Sequence, residues 1–237
     1  MEVRLIKETV NGNRRKAICE LGSKNRYDQP LIIIMKPSGS MLTIHGRDSL
    51  EKYINVDKIP KDFEILRINS IINSGIIYTD ENSRVVRIYS TLEDLRSISK
   101  IFYDCVIEEF AKLKIDIKRS SHRLEANDLV FTIDGKDKKF CGVLQDRLFR
   151  YFSFFICFDF DATKIEGLYK LDTQKVSSRG DVNDITDIVG GLKEVSPKIK
   201  DTIVDSILTN IATKLKWELK DSTFTKSEEI TLSQLSN

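Results

Sequence analysis

The chain has 237 residues, 41% hydrophobic and 31% charged, and its 38 Lys and Arg nearly cancel its 36 Asp and Glu. That balance excludes a disordered chain and a strongly basic nucleic-acid binder, while the length admits one large α/β domain or a domain with a small appendage. No apolar run reaches the roughly 20 residues that span a bilayer, and the opening MEVRLIKETVNGNRRK lacks the apolar core of a signal peptide, so the reading is a soluble, cytoplasmic protein.

PLIIIM (Pro30 to Met35) is a continuous apolar run suited to a buried strand, and SMLTIHG (Ser40 to Gly46) follows the turn residues KPSG. The two read as adjacent strands. FEILRINSIINSGIIYTD and RVVRIYS continue the pattern, with β-branched runs broken by NSG and DENS. The period then changes: Leu92, Leu95, Ile98, Ile101, Phe102, Cys105, Val106, Phe110 and Leu113 recur three or four apart, with Thr91 and Asp94 placed as cap and acidic first turn. This is a long helix.

NDLVFTIDGKDKKFCGV (Asn127 to Val143) reads as two short strands around a turn, and RYFSFFICFDFD as a buried strand. DVNDITDIVGGL and SPKIKDTIVDSILTNIATKLKW supply two more helices, the second capped by Ser196 with Pro197 just inside and a stripe of Ile199, Ile203, Ile207, Ile211 and Leu215. Lys170 to Asp181 is the longest polar stretch and reads as a mobile loop. The expectation is one sheet of about six strands in mixed order, in a single domain over 1–237 with a polar tail from about 219 that holds a loose strand or a short helix.

Cys19, Cys105, Cys141 and Cys157 form no CxxC pair and, with only His45 and His122 beside them, offer poor zinc material. Free thiols are expected. Neither histidine has an acid–serine or acid–cysteine partner in sequence. The lysines of the hairpin, Lys136, Lys138 and Lys139, read by themselves as a solvated tip.

Taken in order, HGR at a strand end, NSGIIYTD, the long helix, NDLVFTIDGKDKKFCG and CFDFDATKIEGL resemble the lipoate-protein ligase family. The family shows a strand ending in GR, a basic pair before GGGAVYHD, then NDL, K-x-SG, a strand closing on D-x-D, and a polar loop with SR. The likeness runs from about Pro30 to about Leu215.

The resemblance implies an α+β fold, a mixed and largely antiparallel central sheet flanked by helices, as in a biotin/lipoate-protein ligase-like catalytic domain. It implies ATP and Mg²⁺, lipoate or a similar acid as substrate, an acyl-adenylate, and transfer to a lysine of a lipoyl carrier domain. Lys139, in KFCG, falls on the family's lysine, whose ammonium meets charge building between carboxyl and α-phosphate. Gly142 then permits close approach, and Asn127 and Asp128 fall on the NDL pair, where they would orient nucleotide and Mg²⁺. Arg47 matches the GR strand end, Arg67 stands nearest the basic pair, Gly75 keeps the last of three glycines, and Arg179 matches the polar loop.

The departures are specific. Asn73 and Ser74 replace glycines, Thr79 replaces a histidine, Ala126 an arginine, and Phe152 to Phe155 (FSFF) stand for HHGT. A catalytically inactive binding module on the same fold is therefore one alternative. An octanoyl or lipoyl acyltransferase using Cys141 beside Lys139 is another. Single-chain ligases of the family carry a C-terminal accessory domain, so the resemblance also implies a separate accessory subunit, or a relative that does without one.

Overall fold

The computed structural model describes residues 1–24, 30–47, 49–70, 75–121, 128–170 and 185–236. Glu2–Val10 (β1) sends Val3 and Leu5 to one face and Ile6 and Val10 to the other, so this charged strand is buried on both sides. Gly12–Lys24 (α1) follows, then Leu31–Pro37 (β2), Met41–His45 (β3), Glu64–Ile68 (β4), Ile76–Thr79 (β5) and Ser83–Tyr89 (β6). The long helix Leu92–Lys112 (α2) starts where Thr91 Oγ1 accepts the Asp94 N–H at 3.2 Å. Lys118–Arg119 (β7), Asp128–Ile133 (β8), Lys136–Asp146 (β9), Tyr151–Cys157 (β10), Ile203–Leu215 (α3), Glu218–Asp221 (β11) and Lys226–Ser236 (α4) complete the described elements.

Eight strands form a mixed sheet in the order β11-β1-β2-β6-β10-β9-β8-β7, parallel among the first three and antiparallel beyond. Helices α2 and α3 cover one face, with Phe102 packed 5.0 Å from Phe152 and 4.8 Å from Phe154. The other face carries α1, α4 and a second sheet, β4-β3-β5. Two sheets thus replace the single one expected, and β2 and β3 are not partners. The chain leaves the large sheet at the turn after Pro37, and β6 takes the place beside β2.

Other expectations shift as well. The reading passed over β1 and α1. DVNDITDIVGGL forms a 3-10 turn at Ile185–Asp187 in its described part, because Ile188 and Gly190 hydrogen-bond to Lys139 instead. Helix α3 begins at Ile203, not Ser196, since turns run through Asp201, which pairs with Arg84 on β6. The polar tail contains both a strand and a helix, held by Arg4–Glu228 and Arg14–Glu229 pairs at 2.8 Å and by buried Leu232.

Helix α1 lies flat on the large sheet because Gly22 has no side chain: a Cβ there would overlap the Tyr89 ring. A helical Gly→Ala change ordinarily gains about 1 kcal/mol. Here overpacking dominates, so Gly22→Ala should lose about 1–3 kcal/mol. The check is urea unfolding, with a lower midpoint at unchanged slope.

Candidate functional site

β8 and β9 join through Asp134 and Gly135, both at positive φ (49° and 75°), the geometry a two-residue hairpin turn demands. The tip lysines are spent on ion pairs, Lys136 with Asp187 at 2.8 Å and Lys138 with Glu194 at 2.7 Å. Below the tip the register slips: Val130 opposes Lys139 but Leu129 opposes Cys141, leaving Phe140 as an extra residue. This β-bulge sends both Phe140 and Cys141 into the core under the helices. Lys139 and Gly142 consequently share the opposite face.

On that face Lys139 Nζ lies 2.9 Å from Asp128 Oδ2 and 5.6 Å from the centre of the Phe155 ring. A Cβ at Gly142 would stand 2.6 Å from Phe155 and 3.2 Å from Lys139 Nζ, so only glycine leaves room for the lysine to lie where it does. The Lys139 side chain is 19% exposed and that of Asp128 is 6% exposed. Lys139 is held by its backbone too: its N–H donates to Ile188 O at 2.6 Å and its carbonyl accepts from Gly190 N at 3.0 Å.

A second group lies at one end of the small sheet. Arg67 Nη1 donates to the Gly46 carbonyl at 3.0 Å, which brings it beside exposed Arg47. Gly75, at φ 77°, leads into β5 next to the end of β3. Asn127, Arg179, Asn73, Ser74, Ala126 and His122 lie outside the described residues, as does the polar stretch after Lys170. Asp128, expected to orient magnesium, instead faces Lys139. Among the described residues no cluster of three metal-ligating side chains occurs, and a carboxylate committed to an ammonium is a poor start for Mg²⁺, which wants open oxygen ligands.

FSFF divides between the two faces of the large sheet: Phe152 and Phe154 point under the helices, while Ser153 and Phe155 point toward the small sheet. Cys141 is no nucleophile. It is fully buried in the helix-side core, where burial pushes its thiol well above the ordinary range, with nearby Asp128 adding to the effect. The four cysteines are free.

Between the sheets the structure reveals a polar layer that sequence reasoning missed. Arg15 of α1 and Arg87 of β6 are 2% and 1% exposed, with Thr43 and His45 of β3 and Thr79 of β5 buried around them. Arg15 Nη1 donates to Thr79 Oγ1 at 2.8 Å, while Arg87 stacks 4.2 Å over the Tyr151 ring and donates to Tyr89 Oη at 3.5 Å. Burial, reinforced by Arg87, pushes Arg15 down to about 10. Burial also opposes the Arg87 cation, but Cys19, Tyr89 and Tyr151 outweigh it and the net shift is upward. The signal was present in RVVRIYS: Arg87 shares a strand face with Val85 and Tyr89, and a period of two sends all three inward.

His45 is pushed down to about 3, by burial first and then by Arg87 and Arg15. The unfolded imidazole takes a proton below its ordinary 6.5 and the folded one does not, so this contribution is complete above 6.5 and is lost as pH falls toward 3. Between pH 7 and pH 5 the wild type should lose about 2 kcal/mol more than His45→Gln. Urea unfolding of both proteins at the two pH values checks this.

No family model matches the sequence, and no curated protein does. Solved structures do. A bipartite lipoate-protein ligase from the archaeon Thermoplasma acidophilum superposes with a TM-score of 0.75 at 16% identity, covering 100% of this chain and 92% of the other. A putative lipoate-protein ligase from T. acidophilum with bound lipoic acid gives 0.75 at 15%, covering 99% and 95%. A lipoate-protein ligase A bound with ATP gives 0.76 at 16%, covering 100% and 94%. With an eight-stranded mixed sheet, helices on both faces and a small sheet against one of them, the chain has the biotin/lipoate-protein ligase-like fold.

Proposed function

We propose that the chain is an ATP-dependent ligase that activates lipoate or a similar acid and passes the acyl group to a lysine of a lipoyl carrier domain. One observation carries the reading: Lys139, over Gly142 and oriented by Asp128, presents a fixed ammonium on the face between the two sheets. The neighbours of known content support it, since one holds lipoic acid and another ATP. In the first step a carboxylate oxygen attacks the α-phosphorus and pyrophosphate leaves; in the second an amine attacks the acyl carbon and AMP leaves.

Lys139 serves the first step by standing where negative charge gathers between carboxyl and phosphate, on a face where its position is already fixed. Gly142 and Gly75 let ligand atoms approach the backbone. Arg47 and Arg67, exposed at one strand end, take the phosphates, and Asn127 and Arg179 are assigned to the nucleotide by their place in the motifs. The reading treats 1–237 as one cytoplasmic domain, in keeping with its free thiols, and includes a separate accessory subunit. Among the described residues no helix is long and apolar enough to cross a membrane.

A non-catalytic binding module is the second reading, favoured by the closed Lys139–Asp128 pair. Native mass spectrometry after incubation with ATP, Mg²⁺ and a mixture of lipoate, octanoate and biotin separates the two. The ligase retains an acyl-adenylate whose mass names the acid, while a protein that binds an acid but forms no adenylate is the module.

Lys139→Ala should cut adenylate formation at least about 100-fold. It should also lose about 3 kcal/mol of stability, because it strands the buried Asp128 carboxylate. Asp128→Asn with Lys139→Ala should recover most of that stability and none of the activity. Thermal unfolding and a pyrophosphate-release assay read both effects, and adenylate formation by the double variant at the wild-type rate would exclude the assigned role of Lys139.

A further inference from the structure

Arg15, Cys19 and Gly22 fall at i, i+4 and i+7, so they line one face of α1. That face rests on β6: Gly22 meets the Tyr89 ring, and Cys19 interacts electrostatically with both Arg15 and Arg87. The two guanidinium groups therefore lie in one buried layer and repel each other. Neither has a carboxylate partner among the described residues. Arg15 contacts Thr79 and Met41, and Arg87 contacts Tyr89 and Tyr151, all uncharged at neutral pH. Arg15 Nε, Arg87 Nε and the Thr43 hydroxyl are buried without a hydrogen-bond partner among the described residues.

Two buried cations with no carboxylate partner among the described residues, each with an orphan donor, are costly unless something anionic completes them. Cation geometry narrows the choice, since guanidinium forks match planar carboxylate and phosphate oxygens. We propose that Arg15 and Arg87, with Thr43, form an oxyanion site between the two sheets that takes the carboxylate or phosphate end of a small ligand.

The site is distinct from the Lys139 group but shares its face. Gly142 pairs with Phe155, Phe155 with Val85, and Arg87 lies two residues further along β6. Two strand spacings and two residue rises put Gly142 and Arg87 about 12 Å apart, Cα to Cα. On the ligase reading, which this consequence alone rests on, the acid carries a second anionic group at its far end, as a medium-length α,ω-dicarboxylate does, where lipoate has an uncharged ring.

Ligand-dependent thermal unfolding of the intact wild-type chain tests the site without ATP, so failure of the ligase reading does not touch it. Inorganic phosphate, octanedioate and octanoate are titrated separately. Binding to the native state raises the midpoint in proportion to the logarithm of ligand concentration. A rise of several degrees with phosphate assigns a free-phosphate site; a rise with octanedioate well above that with octanoate assigns the far end of a diacid. Arg15→Met and Arg87→Met should each weaken the effect at least tenfold by calorimetry. Arg15→Met should also leave the unliganded midpoint unchanged or higher, since it removes a buried charge that desolvation and the neighbouring guanidinium both oppose. No rise with either phosphate or octanedioate in the wild type, or a rise that Arg15→Met and Arg87→Met both retain, would overturn the proposal.

Discussion

One extra residue in a strand decides what the hairpin can do. Without a bulge, β9 would alternate strictly, placing Lys139 and Cys141 on one face and Phe140 and Gly142 on the other. The lysine would then lie over a cysteine, and the glycine would be wasted in the core. The slip at Phe140 turns two consecutive side chains inward and brings residues three apart onto the same face. A K-x-x-G spacing thereby becomes a lysine lying across its own glycine, with Asp128 opposite Gly142 to hold the ammonium. The bulge also buries the cysteine, which takes its sulfur away from the face that carries the lysine. Its edge is secured by Ile188 and Gly190, which bond to the Lys139 backbone where β10 has ended its own pairing at Cys141.

Legibility followed the strength of local signals. Helix α2 was readable because a cap and a twenty-residue apolar stripe agree, and the β8–β9 hairpin because Asp-Gly at its tip fits only one kind of turn. That Lys139 turns inward was readable only through the family motif, since charge on a hairpin ordinarily means solvent. Strand β1 and helix α1 were missed for one shared reason: charged side chains obscure their buried faces. EVRLIKETV buries residues on both sides between charges, and NRRK in α1 contains a fully buried arginine. Pairing between strands was not readable at all. Nothing local says that β3 abandons β2 for β4 and β5, because that choice depends on β6, some forty residues further along the chain.

The small sheet gains its meaning from that choice. By leaving the large sheet, β3 carries Thr43 and His45 across to face β6 and β10, and helix α1 closes the layer from the side through Arg15. A hydrophobic filling there would have been cheaper: a buried cation must overcome desolvation, and apolar side chains of similar volume often stabilise a core as well or better. Stacking on Tyr151 offsets part of the cost for Arg87. The rest remains as a local excess of positive potential that no described carboxylate cancels.

This excess gives a physical account of one departure from the family pattern. Thr79 stands where the family has a histidine, and its hydroxyl accepts the hydrogen bond from Arg15. An imidazole at that point would meet the same field as His45, which burial and the two arginines already hold neutral far below its ordinary range. Such a group could not donate as a cation, and its ring would crowd the guanidinium. A threonine supplies an acceptor in less volume and carries no charge to be repelled. Thr79 and Arg15 are thus one hydrogen-bonded pair, and the residue that departs from the family motif is the one that fits a layer built around guanidinium groups.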